Sequence, residues 1–380
     1  MFDNIFQDKT VLITGHTGFK GSWLGIWLNE LGANVIGYAL EPYTQKDNFV
    51  LSNLQQYIIH NIGDIRDFSN LNSIFNKYEP EIIFHLAAQP IVRQSYIDPK
   101  ETYDININGT INLLECCRSS DSVKVIINVT SDKCYENNET IWGFRETDPM
   151  GGYDPYSASK GCSEIITASY IRSFFNSDDF VKHGKCMASA RAGNVIGGGD
   201  WQKDRIVPDC IRALLNQKSI EIRNPFARRP WQHVLEPLSG YLSLASKIYQ
   251  NPRKYYGAYN FGPNFDSTIT VGELVELIIK KWGYGNWIDI SKEDYMHEAH
   301  LLYLETCKAQ SELNWSPCWD IETTISKTVQ WYKEFEYQNL YELCKEQIYS
   351  YYEDIERKHK FRTGKTIELS EPLENLQRVN

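Results

Sequence analysis

The chain has 380 residues and a formal net charge of −10. This length is too great for a single small core and suits one large α/β unit with a subsidiary lobe. A chain this acidic has no broad basic face, so we do not expect nucleic acid as a partner.

Cysteine usage and the chain's apolar runs bear on its compartment. Nine cysteines form an odd set without a CxxC pair, and Cys116 and Cys117 are adjacent within a helical pattern. This indicates reduced thiols, with neither a disulfide framework nor a zinc site. The start, MFDNIFQDKTVLITG, has no charged-then-apolar leader, and no apolar run reaches about eighteen residues. We expect a soluble, cytoplasmic protein that does not enter a membrane.

Strands and helices alternate over the first half of the chain. Helices of this length between short apolar strands indicate an α/β fold, a doubly wound parallel sheet with helices on both faces. The predicted elements are strand 10–14, helix 21–31, strand 34–39, strand 81–86, helix 99–118, strand 124–130, helix 157–175 and strand 187–192.

The pattern changes after residue 194, where glycines, prolines and scattered tryptophans take over, with short helices predicted at 270–281 and 323–336. We predict a domain over 1–195, to which the chain returns around 230–262, and a smaller lobe over 196–343. The charged, tyrosine-rich stretch 344–380 is expected to form a surface helix and a loose tail of unknown role.

The segment TGHTGFKG, residues 14 to 21, follows the first strand and opens the first helix. Its GxxGxxG spacing provides a tight turn, a close backbone approach to a diphosphate and close helix packing. A glycine-rich turn without a ligand is the weaker alternative in this context. The predicted cofactor contacts in this segment are Gly15, His16, Thr17, Gly18, Phe19, Lys20 and Gly21.

The ends of the next strands give further cofactor contacts. The second strand ends without the usual carboxylate for the ribose, and Glu41 can substitute from just beyond it. No arginine is there to accept a 2′-phosphate, which favours NAD over NADP. Asp64 suits an adenine edge, a turn carboxylate being the alternative, and HLAAQP places small residues where a cofactor passes. The predicted contacts are Asp64, Ile65, Leu86, Ala87 and Ala88.

Two further motifs carry proton chemistry. Ser131, Asp132 and Lys133 follow a strand, and Tyr156 precedes Lys160 by one helical turn. In a nicotinamide site a tyrosinate takes the proton of a substrate alcohol, while an adjacent ammonium lowers the phenol pKa and holds the ribose. Ser131 would hydrogen-bond the same alcohol. An ordinary polar loop and an exposed first turn are the alternatives for each motif taken alone.

Together, TGHTGFKG, HLAAQP, the serine before DK, YSASK and ARAGNVIGGGDW resemble the extended short-chain dehydrogenase/reductase superfamily, in its sugar-nucleotide dehydratase and epimerase branch. The resemblance extends from about residue 9 to about 333 and includes RRPWQHVLEPLSGY, HEAHLLYLETCKA and LNWSPCW. It implies an NAD-binding Rossmann-type sheet, a smaller sugar-nucleotide lobe and a site in the cleft between them.

The resemblance also implies roles for individual residues. Tyr156 and Lys160 fall on the family's catalytic pair, Ser131 on its third hydroxyl, and Asp132 on the acid that protonates a departing C6 hydroxyl. Lys133 stands where dTDP-glucose dehydratases carry glutamate, and lysine there is similar to the CDP-glucose branch. It would be either the base at C5 or a stabiliser of the enolate.

Substrate contacts and assembly are implied by the same resemblance. Asn194 falls on a residue that holds the diphosphate, and Arg229 on one that contacts the phosphates.

The histidines of HEAH, residues 297 to 300, are three apart without a third ligand, so we expect no metal. The helices 99–118 and 157–175 would pair across a homodimer or higher oligomer. The implied substrate contacts are Gln89, Asn194, Arg205, Arg229 and His300.

The resemblance implies a reaction that converts CDP-D-glucose to CDP-4-dehydro-6-deoxy-D-glucose with tightly bound NAD. It comprises oxidation at C4, loss of water across C5 and C6, and hydride return to C6, for deoxysugar synthesis toward lipopolysaccharide O-antigen. Two alternatives remain, another nucleotide-sugar epimerase or dehydratase and a non-catalytic NAD-binding protein. The Ser131–Tyr156–Lys160 set argues against the second, and Asp132 with Lys133 argues against an epimerase.

Overall fold

The computed structural model describes residues 1–137, 142–291, 302–337 and 339–363, which contain thirteen strands. In chain order these are β1 Thr10–Thr14, β2 Asn34–Ala39, β3 Ile59–Ile62, β4 Ile82–His85, β5 Val125–Val129, β6 Cys186–Arg191, β7 Val195–Ile196, β8 Ile220–Ile222, β9 Arg228–Pro230, β10 Gln232–His233, β11 Gly257–Asn260, β12 Thr268–Thr270 and β13 Trp287–Asp289.

The α-helices fill the intervals between these strands and the C-terminal part of the chain. They are α1 Phe19–Glu30, α2 Asn48–Leu51, α3 Phe68–Tyr78, α4 Val92–Ile97, α5 Pro99–Tyr103, α6 Gly109–Ser119, α7 Pro155–Ser173, α8 Phe180–His183, α9 Ile206–Leu215, α10 Leu235–Gln250, α11 Val271–Trp282, α12 Cys307–Leu313, α13 Ile321–Glu334 and α14 Leu340–Thr363.

Seven strands form one parallel sheet in the order β11-β6-β5-β4-β1-β2-β3. The predicted doubly wound fold is thereby confirmed. The strand order reverses between β1 and β4, where Thr14 pairs with His85. A ligand crevice opens at such a switch point, beyond the carboxyl ends of the strands.

Alternate residues of β1 enter two separate cores, because successive side chains of a strand point to opposite faces. Val11 and Ile13 pack in the core that α1, α10, α13 and α14 cover. Leu12 packs in the core that α3, α6 and α7 cover. Burial on both faces explains why the central strands are continuous apolar runs in the sequence.

The predicted element bounds differ from the structure at a few points. The predicted helix 99–118 consists of α5, a π-helical turn over Asp104–Asn108, and α6. Helix α7 begins at Pro155, two residues earlier than predicted. The Asp154 side chain accepts from the Ser157 N–H at 2.9 Å, and proline suits the first helical position.

The C-terminal helix is packed more deeply than a surface helix. Helix α14 begins at Leu340, buries Cys344, Ile348 and Tyr351, and packs against α1. Strand β11 adds the segment after α10 to the sheet beside β6. The proposed domain bounds stay a prediction, and so does the role of the residues beyond 363. Among the described helices, none is both long and apolar enough to cross a membrane.

Candidate active site

A cleft of about 630 Å³ opens at the carboxyl ends of β1 and β4, at the switch point of the sheet. The glycine-rich loop after β1 forms one wall. The loop after β5, residues 130 to 135, which we call the catalytic loop, forms another together with the start of α7. Trp201 and Arg205 of the smaller predicted lobe close the remaining side, together with Trp231 from the segment predicted to return to the first domain.

The glycine-rich loop fits the diphosphate of a dinucleotide. Gly15 has φ +79°, and a Cβ there would lie 2.8 Å from the Ala87 nitrogen. A Cβ on Gly21 would lie 2.1 Å from the Gly15 carbonyl oxygen, whereas Gly18 has more space, with that oxygen at 3.4 Å. Among the described residues no side chain caps the N-terminus of α1, so its N–H groups remain available to an anion.

Most of the predicted cofactor residues line this cleft. They are Gly15, Thr17, Gly18, Phe19, Lys20, Gly21, Asp64, Ile65, Leu86, Ala87, Ala88, Tyr156 and Lys160. Lys20 is enclosed, and burial lowers its pKa to about 8, with Arg205 and Lys160 acting in the same direction. Asp64 is paired with Arg66 at 2.6 Å, and this contact holds the carboxyl pKa below its usual value.

His16 lies behind the glycine-rich loop and does not line the cleft. Its Nε2 is 2.6 Å from Nδ1 of His60, and burial lowers the His16 pKa to about 3, which keeps the ring neutral. A Cβ on Gly37 would be 2.4 Å from this ring, so β2 carries glycine where the imidazole crosses it. Its role as a cofactor contact stays a prediction.

Two hydrogen bonds hold the acid of the catalytic loop, one from within the loop and one from the segment after β6. Ser131 Oγ donates to Asp132 Oδ1 at 3.0 Å and accepts from the Lys133 N–H at 3.2 Å. Asn194 Nδ2 donates to the other Asp132 oxygen at 3.2 Å. A Cβ on Gly193 would lie 1.8 Å from this carboxylate, so a larger residue there would displace the acid from this position. Ser131, Asp132 and Lys133 all line the cleft.

Tyr156 and Lys160 lie one turn apart on α7, and both face the cleft while largely buried. Burial raises the Tyr156 pKa to about 12, and the hydrogen bond with Ser131 opposes this shift. Burial lowers the Lys160 pKa to about 8, against the attraction of Glu164. A cationic nicotinamide would favour the tyrosinate further.

The predicted substrate residues are only partly brought together. Asn194 and Arg205 line the cleft, and Arg205 Nη1 is 2.7 Å from Asp200 Oδ2. The Gln89 amide faces the protein interior, where it bonds to Thr102 Oγ1 at 2.8 Å and accepts from a backbone N–H. Arg229 Nη1 donates to a neighbouring carbonyl at 2.9 Å, outside the cleft lining. HEAH, with His300, lies outside the described residues.

Two tryptophans of the cleft are absent from the predicted site residues. Trp201, in the smaller predicted lobe, and Trp231, in the predicted return segment 230–262, both line it. Both lie within motifs that carry the resemblance, GGGDW and RRPWQH. For Trp231, the sequence signal that could have predicted a place in the site was its position two residues after Arg229, a predicted phosphate contact.

Known proteins are similar to this chain over most of its length. The family model described as GDP-mannose 4,6 dehydratase matches residues 12–328. A CDP-glucose 4,6-dehydratase of Salmonella typhimurium is 48% identical over 331 residues, which cover 87% of this chain and 92% of that protein. A probable dTDP-glucose 4,6-dehydratase of Sinorhizobium fredii is 25% identical, with 85% and 93% covered.

Solved structures share the fold at lower identity. The dTDP-glucose 4,6-dehydratase DesIV of Streptomyces venezuelae, solved with NAD, has a TM-score of 0.73 at 21% identity over 86% of this chain and 97% of that chain. The Bacillus anthracis dTDP-glucose 4,6-dehydratase, also solved with NAD, has a TM-score of 0.70 at 21% identity, with 88% and 99% covered. The glycine-rich loop, the YSASK helix and the matched length agree, and the chain therefore belongs to the GDP-mannose 4,6 dehydratase family.

Proposed function

We propose that the chain is an NAD-dependent dehydratase that converts CDP-D-glucose to CDP-4-dehydro-6-deoxy-D-glucose and water. The observation that carries this proposal is the convergence of a hydroxyl, an acid, an amine and a tyrosine–lysine pair on one cleft beneath a dinucleotide loop. The 48% identity to a relative described as CDP-glucose 4,6-dehydratase supports the same substrate.

The residues that would hold NAD lie along the glycine-rich loop, at Asp64 and Ile65, and at the small residues after β4. Tyr156 and Lys160 would meet its nicotinamide ribose. When bound, NAD supplies a hydride acceptor for C4 and later a hydride donor for C6. Because both steps occur in one turnover, we propose that the cofactor stays tightly bound.

In the first step Tyr156 takes the proton of the C4 hydroxyl, which Ser131 positions by a hydrogen bond. The Tyr156 phenol is deeply buried, so it needs positive charge nearby to ionise near neutral pH. Arg205 favours the tyrosinate in this way, and the Lys160 ammonium lies one turn along the same helix.

In the second step Asp132 donates a proton to the departing C6 hydroxyl. Before the substrate arrives, Ser131 and Asn194 each donate to one of its oxygens; when Ser131 turns its single O–H to the C4 hydroxyl, the bond from Asn194 still orients the carboxyl group. Lys133 either removes the C5 proton or stabilises the enolate that this removal forms. Both roles place Lys133 beside C5.

The diphosphate of the substrate would meet Asn194 and Arg205 in the cleft, with Arg229 and His300 as further proposed contacts. Gln89 is proposed to reach the sugar by a change of side-chain rotamer. Its amide hydrogen bonds to Thr102 and to the backbone would have to break for this movement.

We also propose that the enzyme is a cytoplasmic homodimer or higher oligomer that serves deoxysugar synthesis for lipopolysaccharide O-antigen. The nine free cysteines favour a reducing compartment. Helix α7 exposes 56% of Ile165, and the adjoining Phe174 is 45% exposed, which supports pairing of α5–α6 and α7 with a second copy.

A panel of nucleotide-linked glucoses tests the proposal. The protein with NAD is incubated with CDP-, dTDP-, UDP- and GDP-glucose, and the products are weighed by mass spectrometry. We expect loss of one water from CDP-glucose, faster than from the others, and no loss with the Tyr156→Phe variant. Dehydration of another nucleotide with CDP-glucose untouched would contradict the substrate, and an isomer of unchanged mass would indicate an epimerase.

A further inference from the structure

A buried ion pair lies directly behind the catalytic residues. Glu164 is on α7, one turn beyond Lys160 and two turns beyond Tyr156, so the three side chains share one face of the helix. Glu164 Oε2 is 2.7 Å from Arg191 Nη2, and the two side chains are only 3% and 5% exposed. No step of the proposed reaction uses either residue.

The Glu164 carboxylate joins α7 to the two neighbouring strands. Its Oε2 also accepts from Ser189 Oγ on β6 at 2.7 Å. Its Oε1 accepts a short hydrogen bond from Thr130 Oγ1. Thr130 immediately precedes Ser131, so this bond attaches the catalytic loop to the helix that carries Tyr156.

Arg191 extends the same network to the far end of the catalytic loop. Its Nη1 donates to the Tyr135 hydroxyl at 2.6 Å and to the Glu146 carbonyl at 3.1 Å. The Tyr135 hydroxyl in turn donates to Asn260 Oδ1 at 2.7 Å. Both ends of the catalytic loop are therefore fixed to one buried pair of charges.

Among the described groups, Glu164 is the carboxylate whose charge raises the Lys160 pKa, while its own ion-pair partner Arg191 is positive and Asp132 lines the same cleft. The titratable groups in question, on α7, the catalytic loop, β4 and α1, are Tyr156, Glu164, Cys134, His85 and Lys20. Burial keeps the Cys134 thiol and the His85 ring neutral, since it raises the first pKa and lowers the second. Lys20 is positive and opposes the Lys160 charge.

We propose that Glu164 is a positioning residue of the reaction: its charge faces Lys160, and its hydrogen bond to Thr130 ties the catalytic loop to α7. The inference rests on the proposed function for its kinetic part only. Stability alone is a poor explanation for this ion pair, because buried pairs gain little over apolar residues of similar volume.

The first test is the Glu164→Gln variant, which keeps the shape and removes the charge. We expect the Lys160 pKa to fall by about one unit, which reduces the charged fraction about tenfold above that pKa. Nuclear magnetic resonance of isotope-labelled lysine, assigned with a Lys160→Met protein, measures this pKa without any substrate. Glu164→Asp keeps the charge and should restore most of the pKa.

The kinetic readout uses CDP-glucose. We expect Glu164→Gln to lower kcat about tenfold or more, to leave KM within about threefold, and to move the basic limb of the kcat profile to lower pH. The limb moves in this direction because Lys160 acts as an ammonium, and activity is lost as pH rises through its pKa. If the unmodified protein does not convert CDP-glucose, the proposed function is contradicted. The comparison of the Lys160 pKa in the wild type and in Glu164→Gln would still test the present inference, because it needs no substrate.

Glu236→Gln is the matched control. Glu236 is also a buried glutamate, which accepts from the Trp319 N–H and the Tyr351 hydroxyl at 2.6 Å, but it lies outside the cleft lining. We expect it to lower the melting temperature without moving the Lys160 pKa. Equal Lys160 pKa values in the wild type and Glu164→Gln would overturn the inference.

Removal of the Glu164 charge leaves Arg191 buried without its partner, which can prevent folding. If Glu164→Gln does not fold, Thr130→Val tests the inference instead. It removes the hydrogen bond between the catalytic loop and Glu164 and keeps the Glu164–Arg191 ion pair. We expect kcat to fall about tenfold with KM within about threefold and the Lys160 pKa unchanged. A kcat equal to that of the wild type would show that the hydrogen bond between Thr130 and Glu164 does not position the catalytic loop.

Discussion

Asn194 Nδ2 donates to Asp132 Oδ2 at 3.2 Å, across the boundary between the catalytic loop and the segment after β6. Asn194 has φ +51°, a left-handed conformation that asparagine tolerates better than most residues. The neighbouring Gly193 leaves room for the carboxylate to approach. The acid is thus held by the strained turn that also faces the proposed diphosphate site.

Replacement of Asp132 should separate oxidation from elimination. Asp132→Asn keeps the shape but cannot protonate the C6 hydroxyl, so dehydration should slow by about 10²–10⁴ while C4 oxidation survives. Product mass and the absorbance of reduced cofactor measure the two steps. Asp204→Asn is the control, since Asp204 also lines the cleft but pairs with Arg93 at 3.2 Å. Dehydration at the wild-type rate would show that Asp132 is not the acid.

Two substitutions distinguish the roles of Lys133. Lys133→Met should permit oxidation at C4 but block the elimination of water, so reduced cofactor accumulates and C5 takes up little solvent deuterium. Lys133→Arg keeps a positive charge but cannot act as a base, because arginine does not lose its proton in proteins. Recovery of deuterium exchange in the arginine variant would indicate an enolate stabiliser, and no recovery a base. Normal product from Lys133→Met would remove Lys133 from the mechanism.

Cofactor selectivity should favour NAD over NADP by about tenfold or more, equivalent to ~1.4 kcal/mol. Glu41 lines the cleft just after β2, where its carboxylate would repel a 2′-phosphate. Arg66 is engaged by Asp64 at 2.6 Å and Glu101 at 3.6 Å. Calorimetric titration with NAD and with NADP measures the two affinities in the wild type and in Glu41→Gln. We expect the difference between these affinities to be smaller in Glu41→Gln. Glu79→Gln, which removes the charge of an exposed glutamate, is the control. Equal wild-type affinities would contradict this assignment.

Acid should destabilise the fold through three buried histidines, His16, His85 and His233, each with its pKa lowered to about 3 by burial. Between this value and the ordinary 6.5, the unfolded chain binds protons that the folded chain does not, so stability rises with pH. Each histidine should cost about 2 kcal/mol on going from pH 7 to about pH 5.

Urea denaturation at these two pH values measures the effect. His233→Gln, which removes one of the three groups, should reduce the loss of stability between these pH values by the share of one histidine, about 2 kcal/mol. His183, which is partly exposed, provides the control substitution His183→Gln. Equal pH dependence in wild type and His233→Gln would contradict the assignment.

The C-terminal helix should contribute to stability through one buried hydroxyl. Tyr351 donates to Glu236 Oε2 at 2.6 Å and lies 3.1 Å from Ser239 Oγ. Tyr351→Phe should cost about 1–3 kcal/mol, because it removes one of the two hydrogen bonds that the buried Glu236 Oε2 accepts, the other coming from the Cys318 N–H at 2.9 Å. Tyr349→Phe, which breaks a more exposed bond to Glu30 at 3.2 Å, should cost less. Thermal unfolding compares them, and equal melting temperatures for wild type and Tyr351→Phe would contradict the prediction.

The sheet and the cofactor loop could be predicted because their signals are local. Apolar strand runs, the GxxGxxG turn and the Tyr156–Lys160 spacing each lie within a short segment. The Glu164–Arg191 pair could not be predicted, because its partners are 27 residues apart and meet only when β6 joins the sheet. The position of His16 also depends on a distant residue: its contact with His60 on β3 holds it behind the loop, and its role as a cofactor contact stays a prediction.

The path of the hydride distinguishes the proposed dehydration from every alternative reaction at this site. CDP-glucose with deuterium at C4 is converted by the protein in ordinary water, and the product is analysed by nuclear magnetic resonance and mass spectrometry. We predict a 4-dehydro-6-deoxy product with the deuterium at C6 and a solvent proton at C5. Recovery of the deuterium at C4, with the C6 hydroxyl retained, would show that the protein does not catalyse this dehydration.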